Sequence, residues 1–238
     1  MNWAWIDSQW PTIWQEFGQH VWLSVLPVLI GLLLSIPIGA LAHRYGWLRP
    51  PLVTLAGLTY TIPSLALFVV LPGLLGTKIL DPINVVVALT LYTVALLVRT
   101  VADALDTVPD DVRQAALAMG YRPVRQLLAV DLPVAAPVIG AGVRVATVSN
   151  VSLVAIAALI GVPQLGSLFT QGFQEDFATP IIVGIVGCLV LALVLDLLIV
   201  LAIRLLTPWQ RAGRIGRRGR SAAAAELAEV VGPAEVIG

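Results

Sequence analysis

Charge is scarce in this sequence. Asp, Glu, Lys and Arg make up 12% of its 238 residues, against 58% hydrophobic, and a soluble domain carries about twice that charged share. A water-soluble core of this length cannot hide so much apolar surface, so the bilayer has to take it. The one cysteine, Cys188, lies inside an apolar run and has no mate for an internal disulfide, which leaves it as a small buried hydrophobe. Histidine occurs at His20 and His43 only, flanking the first long apolar run. There is no His/Cys cluster at metal-ligand spacing, no Gly-rich phosphate loop and no Ser/His/Asp set. The sequence therefore offers no metal site, no cofactor site and no catalytic residues, and the chain is not expected to be an enzyme. No Lys or Arg precedes Arg44, so the start of the chain lacks the positive region of a signal peptide. The short alternating segments of a membrane β-barrel are missing as well.

What is present is a set of five unbroken apolar runs, about 21–42, 52–75, 83–101, 134–160 and 180–206. Each is near the ~20 residues a helix needs to cross ~30 Å of hydrocarbon. The fold class is an all-α polytopic membrane protein with five transmembrane helices. Pro27, Pro37 and Pro63 fall inside these runs, where neighbouring helices can satisfy the carbonyls they free. Residues 1–20 put Trp3, Trp10 and Trp14 roughly on one helical face, which predicts an interfacial helix leading into a membrane-spanning body over 21–210. Arg44, Arg49, Arg99, Arg113, Arg122, Arg125, Arg204, Arg211, Arg214, Arg217, Arg218 and Arg220 fall in alternate connections and the tail, twelve of the fourteen basic residues. The positive-inside bias makes that side cytoplasmic, with the N-terminus outside and the C-terminus inside. The tail 211–238 is first basic, suited to an anionic leaflet, then Ala-rich and acidic, with disorder expected. Its basic run has no aromatic interleaving, and nucleic-acid binding is not expected.

The longest polar interruption, 106–133, is ordered like a folded element. Thr107 and Asp110 suggest a capping-box start, Pro109 suits a first turn, and Asp110 and Asp111 complement the helix dipole. Gly120 is placed to end the helix in a left-handed conformation. Pro123 can open a second short helix and Pro133 the fourth span. Ala115, Ala116, Met119 and Gly120 then form a low-bulk patch that another backbone can approach. Gln114-Ala115-Ala116, three residues, Gly120, nine residues, Val130-Asp131-Leu132-Pro133 resembles the signature of ABC importer permeases, Glu-Ala-Ala, three residues, Gly, nine residues, Ile-x-Leu-Pro. Gln114 stands for the family's Glu and Val130 for its Ile. The resemblance implies a type I importer permease fold in a bacterial inner membrane, with this segment as the coupling helix that docks on a separate ATP-hydrolysing subunit. Gln114, Ala115, Ala116, Met119, Gly120, Leu132 and Pro133 are the implied docking residues. ATP and Mg would sit on that partner, not here.

Further stretches narrow the resemblance. Thr61-Ile62-Pro63-Ser64-Leu65-Ala66-Leu67, Ala141 through Thr147, and Ala158-Leu159-Ile160-Gly161 with Gln164-Leu165-Gly166 are similar to osmoprotectant permeases for glycine betaine, carnitine or choline. The implied partners are the ATPase, a second identical or related permease, an extracytoplasmic binding protein and the lipid bilayer. Ser149-Asn150-Val151-Ser152-Leu153 departs from that family's pattern. Ser149, Asn150 and Ser152 are either helix-packing contacts or pathway lining. Tyr60, Thr61, Pro63 and Ser64 are a second candidate gate, because irregular backbone at membrane depth is tolerated where it lines a cavity. Arg144 within the fourth span needs a partner or water; it is a structural ion pair, with Asp196 as one candidate, or part of a gate. Aromatics that could cage a quaternary amine are sparse in the spans, Tyr60 and Tyr92 being the main ones, which points to recognition by the separate binding protein. Two alternatives stay open: an ABC permease for methionine or another amino acid or amine, and an ion-coupled secondary transporter.

Overall fold

A computed structural model describes residues 1–209, which contain nine α-helices and no strand. The tail expected over 211–238 lies outside the described residues. The helices are α1 (Trp3–Arg44), α2 (Arg49–Thr61), α3 (Ser64–Leu75), α4 (Pro82–Asp106), α5 (Asp110–Ala118), α6 (Pro123–Gln126), α7 (Leu132–Ile156), α8 (Ser167–Gln174) and α9 (Ala178–Leu206).

α4 is the central helix. Asp81 caps it by accepting from the Ile83 amide, Pro82 opens it, and its buried residues run from Asn84 to Leu105. α1 crosses it most closely. Gly31, Ser35 and Gly39 recur every fourth residue on α1 and all are buried. A Cβ at Gly39 would stand 2.7 Å from the Val101 side chain, and one at Gly31 would overlap Thr93. Small residues at this spacing let two membrane helices approach to backbone contact, where van der Waals packing replaces the missing hydrophobic drive. α7 packs against both α4 and α1 and carries α9, and α2 leans chiefly on α4.

Three expectations change. The boundary at residue 20 is absent: α1 is a single helix of 42 residues, about 63 Å long. Its N-terminal half has tertiary partners of its own, with Ile13 buried against Leu165 and Leu168, and Trp5 and Phe17 packed alongside. The expected single span over 52–75 is two helices, α2 and α3, meeting at 101°. Pro63 has no N–H for the helix ladder and forces Ile62 out of the helical region, to ψ 128°. Finally, the expected break before Pro133 is a bulge. A π-helical stretch, Leu127–Asp131, joins α6 to α7, which accommodates the missing Pro133 N–H without ending the helix. Beyond α7, a 3-10 turn (Ala157–Ile160) and α8 lead into α9, and α8 had no counterpart among the expected elements.

Candidate functional site

α5 is short and starts without a side-chain cap. The Thr107–Asp110 capping box does not form: the Thr107 hydroxyl donates to the Ala104 carbonyl at 2.7 Å, so Thr107 closes α4 instead. Pro109, with extended backbone, is the N-cap, and Asp110 and Asp111 fill the first turn. At the far end Gly120 takes φ 77°. Its amide donates to Leu117 O and the Tyr121 amide to Ala116 O, closing the helix with two bonds.

Gln114, Ala115, Met119 and Gly120 are exposed, Met119 at 68%. Ala116 is not part of that surface; it is buried. Leu132 also points inward, packing with Leu127 against a core of Val101, Ala104, Leu105, Val108, Ala135 and Ile139. Pro133 is half-buried beside it. Leu117, Val124 and Leu128 are exposed apolar residues of the same segment that the signature did not point to. Arg113 was also missed. Its Nη2 donates to the Leu105 carbonyl at the end of α4, and its Nε lies 3.8 Å from Asp131 Oδ1 in the π stretch. A guanidinium on a carbonyl at a helix C-terminus is favourable twice over, by hydrogen bond and by dipole. It clips α5 to both neighbouring helices.

The ends of α1 and α4 and the start of α2 meet beside this segment in an ionic cluster. Arg49 reaches Asp103 Oδ1 at 2.6 Å and Asp106 Oδ2 at 2.7 Å. His43 Nδ1 contacts Asp106 Oδ1 at 2.6 Å, and Arg99 Nε lies 3.6 Å from Asp103 Oδ2. All five side chains are partly exposed, so each pair is worth only about 0.2–1 kcal/mol. Neither Asp103 nor Asp106 carried a signal of its own in the sequence, because an acidic residue at a span end reads as ordinary solvation.

At the other end of α2 is the elbow. Tyr60, Thr61 and Pro63 are exposed and Ser64 is half-buried. The carbonyl that the bend frees on Ile62 accepts from the Tyr92 hydroxyl at 2.5 Å. Tyr60 packs edge-on to Tyr92 with ring centroids 5.5 Å apart. An open groove of about 330 Å³ runs between α2 and α4, from Tyr60 past Gly57 and Thr100 to Arg99.

Arg144 and Asp196 are brought together: Nε donates to Oδ1 at 2.6 Å and an Nη to Oδ2 at 2.8 Å. The fork joins α7 to α9. The polar cluster on α7 is dispersed. Asn150 is buried and donates to Thr93 Oγ1 at 3.1 Å, a packing contact to α4, whereas Ser149 is half-buried and Ser152 exposed. His20, which sequence reasoning noted only as a flank, is fully buried. Its Nε2 donates to the Val151 carbonyl and its Nδ1 meets Gln164 Oε1, both at 3.0 Å. Gln164 in turn accepts from the Gly166 amide and donates to Ala155 O. Among the described residues no group of three or more His, Cys, Asp or Glu side chains is placed to hold a metal ion.

Residues 28–211 match the family described as binding-protein-dependent transport system inner membrane component. The chain is similar to the osmoprotectant import permease protein OsmW of Salmonella typhimurium, with 38% identity over 184 residues, 76% of this chain and 85% of that one. It is similar to the choline transport system permease protein OpuBB of Bacillus subtilis, with 30% identity over 80% of this chain and 86% of the relative. Among solved structures, an inward-facing form of the MetNI methionine ABC transporter aligns with a TM-score of 0.76 over 84% of this chain and 98% of that chain, at 20% identity.

Proposed function

The chain belongs to the family of binding-protein-dependent transport system inner membrane components, and from that premise we propose that it is the osmoprotectant-translocating permease of an ATP-driven importer, carrying quaternary amines such as glycine betaine, choline or carnitine. The chain is a transport subunit of the inner membrane, not an enzyme. The observation that carries the reading is α5: a short helix held on the bundle by Arg113, ended by a left-handed Gly120, and presenting Gln114, Ala115 and Met119 outward. A low-bulk exposed surface at the end where the basic residues collect suits docking by a cytoplasmic ATPase, which holds the ATP and Mg. Relatives named for osmoprotectants and choline support the substrate class; the likeness to a methionine transporter speaks to the fold.

The work divides as follows. The extracytoplasmic binding protein supplies selectivity, because Tyr60 is the one exposed aromatic face at the elbow and a single cation–π contact gives only about 0.5–1 kcal/mol at an exposed site. Such a contact passes a cation along without holding it. Closure of the ATPase pair moves α5 in each of two permeases, and the elbow at Ile62-Pro63 is the part of the pathway that opens and shuts. The Arg144–Asp196 fork holds α9 onto α7.

The test is uptake into proteoliposomes holding this chain, its partner ATPase, the second permease and the binding protein, using labelled glycine betaine, choline, carnitine and methionine. ATP-dependent uptake of the quaternary amines over methionine is expected. Uptake by this chain without any ATPase would overturn the proposal.

A further inference from the structure

α2 has no buried residue. It is an outlying strut, leaning chiefly on α4 and otherwise fixed at its two ends. At its start Arg49 bridges Asp103 and Asp106, the last acidic residues of α4 before the docking segment, and Asp106 also holds His43 at the end of α1. At its other end the elbow is tied to α4 by the Tyr92 hydroxyl on Ile62 O and by the Tyr60–Tyr92 contact. Arg113 connects α5 to the same last turn of α4, at Leu105. A displacement of α5 therefore reaches Asp103 and Asp106 through one helical turn, and reaches α2 through one guanidinium.

Two properties suit Arg49 to passing movement on. Its planar fork engages two carboxylates at once, so it fixes direction as well as distance, which a lysine ammonium cannot do. Its partners are all partly exposed, so the contacts remake at small cost when the helices shift, unlike a dry ion pair that would lock them. The face of α2 away from α4 is free of buried contacts that would resist such a shift.

Resting on the importer reading above, we infer that Arg49 is a positioning residue for transport: it makes α2, and with it the Ile62-Pro63 elbow, follow the coupling segment, so that ATP hydrolysis by the partner is converted into movement at the gate.

The experiment uses the whole reconstituted complex, with labelled choline as the probe. Arg49→Gln is expected to leave ATP hydrolysis within about twofold of the unaltered complex while choline moved per ATP falls at least fivefold. Arg49→Lys keeps the charge without the fork and is expected to recover part of that ratio. A second readout needs no substrate: maleimide labelling of Thr61→Cys in a Cys188→Ser background, with and without nucleotide trapping. The labelling rate is expected to change with nucleotide state when Arg49 is present and not in Arg49→Gln. If Arg49→Gln fails to assemble, Arg49→Lys decides by the same two measurements. An unchanged transport-to-ATP ratio, equal loss of hydrolysis and transport, or nucleotide-dependent labelling that survives in the variants would overturn the inference. If the unaltered complex neither hydrolyses ATP nor shows nucleotide-dependent labelling, the importer reading itself fails. If it hydrolyses ATP but moves no choline, only the substrate class fails, and the labelling measurement still judges Arg49.

Discussion

At the residue scale, Gly120 separates backbone strain from docking. Its φ of 77° lies where a side chain is disfavoured, yet a Cβ built there meets nothing within 4 Å. Gly120→Ala therefore costs only the left-handed penalty of about 1–2 kcal/mol, and the variant is expected to co-purify with the ATPase. Gly120→Trp pays a similar backbone cost but projects a large ring from the surface that α5 offers. It is expected to fold and to lose ATPase co-purification and ATP-driven uptake; normal co-purification would remove the docking role. His20 is the opposite kind of residue, important to this chain alone. His20→Ala removes two hydrogen bonds from a fully buried place, one to Gln164, which keeps the Gly166 amide and Ala155 O, and one to the Val151 carbonyl. Each lost hydrogen bond costs about 0.5–1.5 kcal/mol, so a drop in melting temperature of the purified protein of a few degrees is expected, with uptake per folded molecule little changed.

At the element scale, the α1–α4 crossing is the joint on which the bundle depends. Gly39→Leu drives a branched side chain into Val101, which is fully buried in a core with Ala104, Leu105, Ala135 and Ile139 and has little room to yield. Overpacking of this kind costs about 1–3 kcal/mol or more, and the expected result is a loss of folded protein in the membrane fraction, measured as fluorescence-detected gel-filtration yield. Much of this scale was legible in the sequence. Long apolar runs declare spans because lipid requires about 20 apolar residues whatever the tertiary fold, and α4, α7 and α9 fall where the runs put them. The left-handed end of α5 was legible from Gly120 for the same reason, a local steric rule. What was not legible depends on partners distant in the chain. Nothing around residue 20 says whether α1 turns onto the interface or continues; the packing of Ile13 on Leu165 and Leu168 decides it. Pro63 announced a break, but that Tyr92 would bind the Ile62 carbonyl there, and so stabilise a 101° bend, is a contact across thirty residues. Small residues at Gly31, Ser35 and Gly39 look like any apolar helix until a second helix lies against them.

At the scale of the whole molecule, the least covered of the four long membrane-crossing helices is α9. It is apolar apart from Asp196 and Arg204, and little of it is buried within this chain, which fits contact with lipid or a second permease. The one charged pair between α7 and α9 sits in the middle of both helices, and the Arg144 side chain is 42% exposed. A lone charge at that depth is unfavourable, and the bidentate geometry offsets that. That makes a distinction testable. If the fork is a clamp, removing one partner is worse than removing both, since an apolar pair suits a lipid-facing joint at least as well. Asp196→Asn is expected to destabilise the purified protein, seen as early loss of the monodisperse peak on heating. The double variant Arg144→Leu with Asp196→Leu is expected to keep the thermal stability of the unaltered chain and ATP-driven uptake within about twofold. A double variant that folds and assembles but moves no substrate would return Arg144 to the pathway and make the fork part of the gate.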